Sequence, residues 1–164
     1  MKIHLINPNT TASMTQMAAN AARNVAAAGT DIIANQPAHG PVSIEGFYDE
    51  AFAVPEMLHE IRKHNDCDGH IVACFDDTGV DAARCIANGP VIGICEAACI
   101  TAATIANRFS VVTTLSRSVP ALQHLIHKYG AERRCASIRA SDIPVLDLEK
   151  QETAAMQKIE HECH

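Results

Sequence analysis

Gly69-His70-Ile71-Val72-Ala73-Cys74-Phe75 runs at once into Asp76-Asp77-Thr78-Gly79 and then into Val80-Asp81-Ala82-Ala83-Arg84-Cys85-Ile86-Ala87. The first run is apolar almost throughout, as a strand buried on both faces reads. The second is a polar turn, and residues 80–87 read as a short helix. The same beat extends outward in both directions. Residues 2–7 read as a strand, and 11–28 as a helix capped by Thr10 or Thr11 and stopped by Gly29. Residues 31–34 form a second strand. A loop follows over 36–46, with Pro37, Gly40 and Pro41, long enough to have a function of its own. Residues 48–64 are helical, with a kink or break expected at Pro55. Beyond the quoted stretch, 90–94 and 109–113 read as strands, 96–107 and 119–129 as helices, the last stopped by Gly130. Residues 136–139 and 145–148 are weaker strands, and 151–163 a closing helix. Strands alternating with helices imply an α/β fold whose parallel sheet is covered by helices on both faces. In such sheets ligands bind at the carboxyl ends of the strands.

Composition narrows the function. Hydrophobic residues make up 48% and charged residues 20% of the 164, the balance of a globular chain. The net charge is −6 and basic residues do not cluster, which disfavours nucleic acid or an anionic membrane as partner. No apolar run approaches the roughly 20 residues of a membrane span. The segment before Asn7-Pro8-Asn9 is too short for a signal peptide, so a cytoplasmic protein is expected. The seven cysteines are scattered as free thiols, and neither they nor the nine histidines show the spacing of a metal site, so no metal is expected.

The strand ends carry the candidate chemistry. Asn7-Pro8-Asn9-Thr10-Thr11 places polar groups at a helix start, either to hold a ligand or simply to turn and cap. Cys74 ends a strand near a helix N-terminus. That position favours a lowered thiol pKa, while a small residue finishing a buried strand is the plainer reading. Asp76 and Asp77 suit caps of the helix that follows, and would oppose a thiolate if they face the sulfur. Glu96 either starts a helix or lines the cleft, whereas Cys95 and Cys99 pack. Thr113-Thr114-Leu115-Ser116 offers hydroxyls, of which capping takes at least one.

Several of these strings together resemble one family. They are Ile6-Asn7-Pro8-Asn9-Thr10 with Met14-Thr15, Ala38-His39-Gly40-Pro41, Ser43-Ile44-Glu45-Gly46 and Tyr48-Asp49-Glu50-Ala51. Ile71-Val72-Ala73-Cys74-Phe75-Asp76-Asp77 with Gly79, Pro90-Val91-Ile92-Gly93 with Glu96-Ala97, and Phe109-Ser110-Val111-Val112-Thr113-Thr114 continue the series. Their order and spacing, over residues 1 to about 150, resemble the hydantoin and allantoin racemase branch of the Asp/Glu/hydantoin racemase superfamily. One departure is Asp77-Thr78, where relatives often have Asp-Pro.

The resemblance implies an aspartate/glutamate racemase-like fold of two α/β halves. It also implies an isomerase that uses neither pyridoxal phosphate nor any other cofactor nor a metal. Its substrate, a cyclic ureide such as a 5-substituted hydantoin or allantoin, sits between two cysteines. One thiolate removes a proton and the opposite thiol returns one to the other face. Carried onto this chain, Cys74 is catalytic, and Asn9, Thr78, Gly79, Thr113 and Thr114 bind the ring. The family's second cysteine lies in a later Gly-Cys motif that has no counterpart here. Cys135, in Arg133-Arg134-Cys135-Ala136, and Cys163, in His161-Glu162-Cys163-His164, do not match it. The expectation is therefore a first domain over 1–94 carrying Cys74, and a second, incomplete α/β domain over 95–164. The alternative is a truncated, catalytically impaired racemase-like protein that binds a small molecule or only self-assembles. Exposed sheet edges favour a homo-oligomer. A flavin is disfavoured, since the chain has no Trp and two Tyr.

Overall fold

A computed structural model of the protein describes residues 1–148, 150 and 153–163. Its elements alternate along the chain: β1 (Lys2–Ile6), α1 (Ala12–Val25), β2 (Asp31–Asn35), α2 (Phe47–Lys63), β3 (Gly69–Val72), α3 (Val80–Arg84), β4 (Val91–Gly93), α4 (Ile94–Ile105), β5 (Phe109–Thr113), α5 (Val119–Lys128), β6 (Cys135–Ala140), α6 (Val145–Leu148) and α7 (Thr153–Cys163). Two compact units result, one of Met1–Ile44 with Asp49–Cys95, the other of Glu45–Tyr48 with Glu96–His164. No helix among the described residues is long and apolar enough to cross a membrane.

The first unit holds a parallel sheet in the order β2-β1-β3-β4, flanked by helices. Register pairs Ile6 with Val72 and His4 with His70, so these four side chains share one face. There Ile6 and Val72 join Met57 and Ile61 of α2, Val80 and Ala83 of α3 and Val91 in a buried core. The opposite face carries the buried Leu5 and Ile32, with α1 packed along β2. Pro55 does not break α2, which runs continuously from Phe47 to Lys63. Burial of Ala53, Met57 and Ile61 on one stripe holds the helix together, although proline removes the bond to the Ala51 carbonyl.

In the second unit β5 and β6 pair in parallel, with α5 packed on β6 and α7 on β5. Residues 145–148, expected to be a strand, form the helix α6. Pro144 pre-sets the first turn, and a carboxylate far away in sequence caps it, the Val145 N–H donating to Glu45 Oε1 at 3.0 Å. Leu146 and Leu148 then follow helical preference rather than the β-branched signal of Val145.

Two histidines interrupt the core face of the first sheet. His4 Nε2 lies 2.7 Å from Asn35 Oδ1, and Asn35 Nδ2 donates to Glu60 Oε2 at 2.6 Å. With Asn35 oriented by Glu60, His4 must donate from Nε2. Its Nδ1 is then a bare acceptor, and His70 Nδ1, 3.1 Å away, must carry the donated proton. His70 Nε2 is left buried with no partner. Protonating His4 would set two N–H groups against each other. Accordingly, burial pushes His4 down to about 4 against the pull of Asn35, with His64 and His70 lowering it further, and burial lowers His70 as well.

Below pH 6.5 the unfolded chain takes up protons that the native pair refuses, so the pair costs stability as pH falls from 6.5 toward 4. For His4 the loss between pH 7.5 and 5 is about 2 kcal/mol. Glu50, whose native carboxyl is raised to about 7, works in the opposite sense over the same window. The informative quantity is therefore the difference between wild type and His4→Gln. Urea unfolding should show the variant losing about 2 kcal/mol less than wild type between those pH values. Parallel pH curves for the two proteins would refute the assignment.

Candidate active site

The carboxyl ends of β1 and β3 are neighbours, tied by the Ala73 N–H to the Ile6 carbonyl at 2.8 Å. β3 stops at Val72, so Cys74 lies in the loop beyond it and not in the strand. From Cys74 to Val80 the chain turns twice: the Asp77 N–H bonds the Cys74 carbonyl at 3.0 Å, and the Val80 N–H bonds the Asp77 carbonyl at 3.1 Å. Both turns need left-handed backbone, supplied by Asp77 at φ 45° and Gly79 at φ 69°.

Cys74 is half-buried, and its sulfur accepts a hydrogen bond from Thr78 Oγ1 at 3.3 Å, with Thr78 itself buried. The expected lowering of the thiol pKa is not found. Burial pushes the thiol up to about 12 and the Asp76 charge adds to the effect. The Thr78 hydroxyl and a backbone bond at Asp76 pull the other way, and Glu50 raises it further. The charges acting on the sulfur are thus both carboxylates. At neutral pH Cys74 is a thiol, a proton donor at rest.

The two acids of the loop separate. Burial, then the Asp77 charge, raises Asp76 to about 6. Asp77 reaches the next helix: its Oδ1 accepts the Cys95 N–H in the first turn of α4 at 2.9 Å. Glu50, in the first turn of α2, completes the group. Its Oε1 is buried without a hydrogen-bond partner, and burial followed by the Asp76 and Asp49 charges lifts it to about 7.

The remaining site candidates are placed as follows. Asn9 is buried and held in a network of its own: its Oδ1 takes Asn7 Nδ2 at 2.8 Å and the Thr11 N–H at 2.9 Å, and its Nδ2 faces Met14 Sδ at 3.5 Å. Neither Thr10 nor Thr11 caps α1 with its hydroxyl; they tie the following loop instead, bonding the carbonyls of Pro41 at 3.3 Å and Val42 at 2.6 Å. Gly79 turns its Cα to α2, where a Cβ would sit 2.6 Å from Met57 Cε and 3.2 Å from Val54 Cγ2. Thr113 and Thr114 belong to the second unit, where their carbonyls accept the Ser141 N–H at 3.0 Å and the Ile143 N–H at 3.2 Å. Asp142 caps the short 3-10 helix Ser116–Ser118 ahead of α5, its Oδ1 accepting the Ser116 N–H at 3.0 Å and hydroxyl at 2.7 Å. The structure therefore puts Thr78 on Cys74 and sets against it Asp76, which sequence reading expected to oppose a thiolate, and Glu50, which it did not single out. One signal for Glu50 was available: it occupies the i position of an i, i+4, i+7, i+11 series with Val54, Met57 and Ile61, a carboxylate on an apolar stripe. Among the described residues no group of three or more His, Cys, Asp or Glu is placed to hold a metal ion.

Comparison with known proteins identifies its relatives. The chain is 55% identical over 152 residues to a hydantoin racemase of Rhizobium meliloti, covering 92% of this chain and 63% of that one. It is 40% identical over 164 residues to a hydantoin racemase of a Pseudomonas species, covering 99% of this chain and 66% of the relative. It thus spans a little under two thirds of the length of these curated relatives. Its fold superposes on allantoin racemase from Klebsiella pneumoniae with a TM-score of 0.95 and 48% identity, over 99% of this chain and 67% of that structure. The family model for Asp/Glu/Hydantoin racemase matches residues 3–164, and the chain belongs to that family.

Proposed function

We propose that the protein racemises hydantoin-type cyclic ureides, 5-substituted hydantoins or allantoin, without a cofactor, and that Cys74 is one of two groups that move the proton. The observation that carries this reading is a half-buried thiol beyond the carboxyl end of β3, hydrogen-bonded by Thr78, in a chain more than half identical to a hydantoin racemase. The C5 hydrogen of a hydantoin is acidic because the carbanion delocalises onto the ring carbonyl as an enolate. A planar enolate can be reprotonated from either face, and one side chain reaches only one face. As a thiol, Cys74 delivers a proton to its face; as a thiolate it removes one from the same face. Thr78 steadies the sulfur, while Asn9 and Gly79 of the same unit supply contacts to the ring carbonyls and N–H groups.

Cys74 reaches one face of the enolate, so the exchange that it carries is enantioselective. In D2O, proton NMR should show C5 exchange above the uncatalysed rate for one enantiomer of a 5-substituted hydantoin only. Equal exchange of both enantiomers would show a second base acting on the opposite face. Saturable binding of the hydantoin with no exchange of either would favour the impaired, ligand-binding alternative.

A further inference from the structure

Glu50 stands on the α2 face that closes over the Cys74 loop. Val54 and Met57, one and two turns further along that face, are the side chains against which Gly79 is packed. This packing directs the stripe bearing Glu50 toward the loop, and Glu50 Oε1 is buried there with no partner. A buried carboxylate oxygen without a donor is costly, and the cost disappears when the oxygen holds a proton. The groups acting on this carboxyl are Asp49 on its own helix and Asp76 on the loop, with Asp77 acting on Asp76 in turn. Glu50 and Asp76 are the two charges that Cys74 feels.

We propose that Glu50 is a positioning residue for Cys74: its carboxyl, turned to the Cys74 loop, sets how readily the sulfur ionises. With Glu50 protonated the sulfur loses its proton more readily, and with Glu50 charged it keeps it. Two neighbouring acids titrate as a pair. Racemisation needs Cys74 both as acid and as base, and a neutral Glu50 lets the thiolate form without a second negative charge beside Asp76. The inference rests on reading Cys74 as the reactive thiol, and not on which ureide is the substrate.

The test follows alkylation of Cys74 by iodoacetamide across pH 5.5–9.5, read by mass spectrometry of the Cys74 peptide so that exposed Cys85 and Cys163 do not contribute. In wild type, log rate should rise with pH, flatten near pH 7 where Glu50 ionises, and then rise again. Glu50→Gln should lose the flattening near pH 7, keep only a bend near pH 6 where Asp76 ionises, and react about threefold to tenfold faster at pH 8, since a neighbouring negative charge is gone. Glu50→Asp should restore the flattened segment. An unbroken wild-type profile, or a folded Glu50→Gln protein no faster than wild type, overturns the proposal; the wild-type profile decides alone if the variant does not fold. No ureide is involved, so a protein showing the flattening but no hydantoin exchange would keep the pair and retire the racemase reading.

Discussion

Cys74→Ala is expected to lower C5 exchange of the responsive hydantoin enantiomer by about 1,000-fold, the usual contribution of a placed proton-transfer group. The expectation is specific to this sulfur. Cys67, Cys95 and Cys99 are buried, and Cys85 and Cys163 are exposed. Cys74 follows the carboxyl end of a buried strand and has the Thr78 hydroxyl directed at it. Cys85→Ala should therefore exchange at the wild-type rate. Cys74→Ser should be nearly as poor as alanine, because a hydroxyl is a far weaker acid than a thiol. Thr78→Val keeps the sulfur but removes its donor, which favours the ionised form, so its rate should fall by about threefold to tenfold, the effect of a shift of up to one pKa unit. Because the thiol lies near 12, wild-type exchange should still be rising at pH 9 with no plateau set by Cys74. A Cys74→Ala protein that retains the wild-type rate, with its fold confirmed by circular dichroism, would move the chemistry to another group.

Much of the fold is legible because strands of a parallel sheet are rich in apolar and β-branched residues, as Ile3, Leu5 and Ile6, Ile71 and Val72, and Val111 and Val112 are. The apolar period of α2 outweighs Pro55 for the same reason: a buried stripe stabilises a helix more than one missing bond weakens it. What escapes sequence reading is whatever depends on partners far along the chain. Three helix starts are capped by carboxylates from elsewhere: Asp77 at Cys95, Asp142 at Ser116 and Glu45 at Val145. Local capping rules instead set Asp76 and Asp77 on the helix directly after them and draw on the hydroxyls of residues 113–116 for the next, and the pattern of residues 145–148 reads as a strand. The position of Cys74 was legible, and its protonation state was not. Strand end and helix start are local features that argue for a thiolate. The burial and the two carboxylates that hold the proton on come from α2 and from the fold of the loop itself.

Gly93→Ala is expected to cost about 4 kcal/mol of unfolding free energy, a large loss for removing one glycine hydrogen. Gly93 is the last residue of β4, and a Cβ there would fall 2.1 Å from Asp77 Oδ1 and 2.2 Å from Asp77 Cγ. Those separations are well inside contact distance, so the carboxylate must leave. Asp77 is itself buried and left-handed, and its turn is pinned by the bonds to Cys74 and Val80, so little room exists for it to move. Displacing it also strips the first turn of α4 of its charged cap at Cys95. Loss of a hydrogen bond to a charged group contributes about 1.5–3 kcal/mol and overpacking about 1–3 kcal/mol. A double-mutant cycle separates the two. Asp77→Gly, which suits the positive φ, should cost about 2 kcal/mol through the lost cap alone. On that background Gly93→Ala should cost under about 1 kcal/mol, because the obstructing carboxylate is gone. Urea unfolding of the four proteins measures the coupling. Additive losses would mean that β4 yields to the methyl group, and that Asp77 does not hold the Cys74 loop against the start of α4.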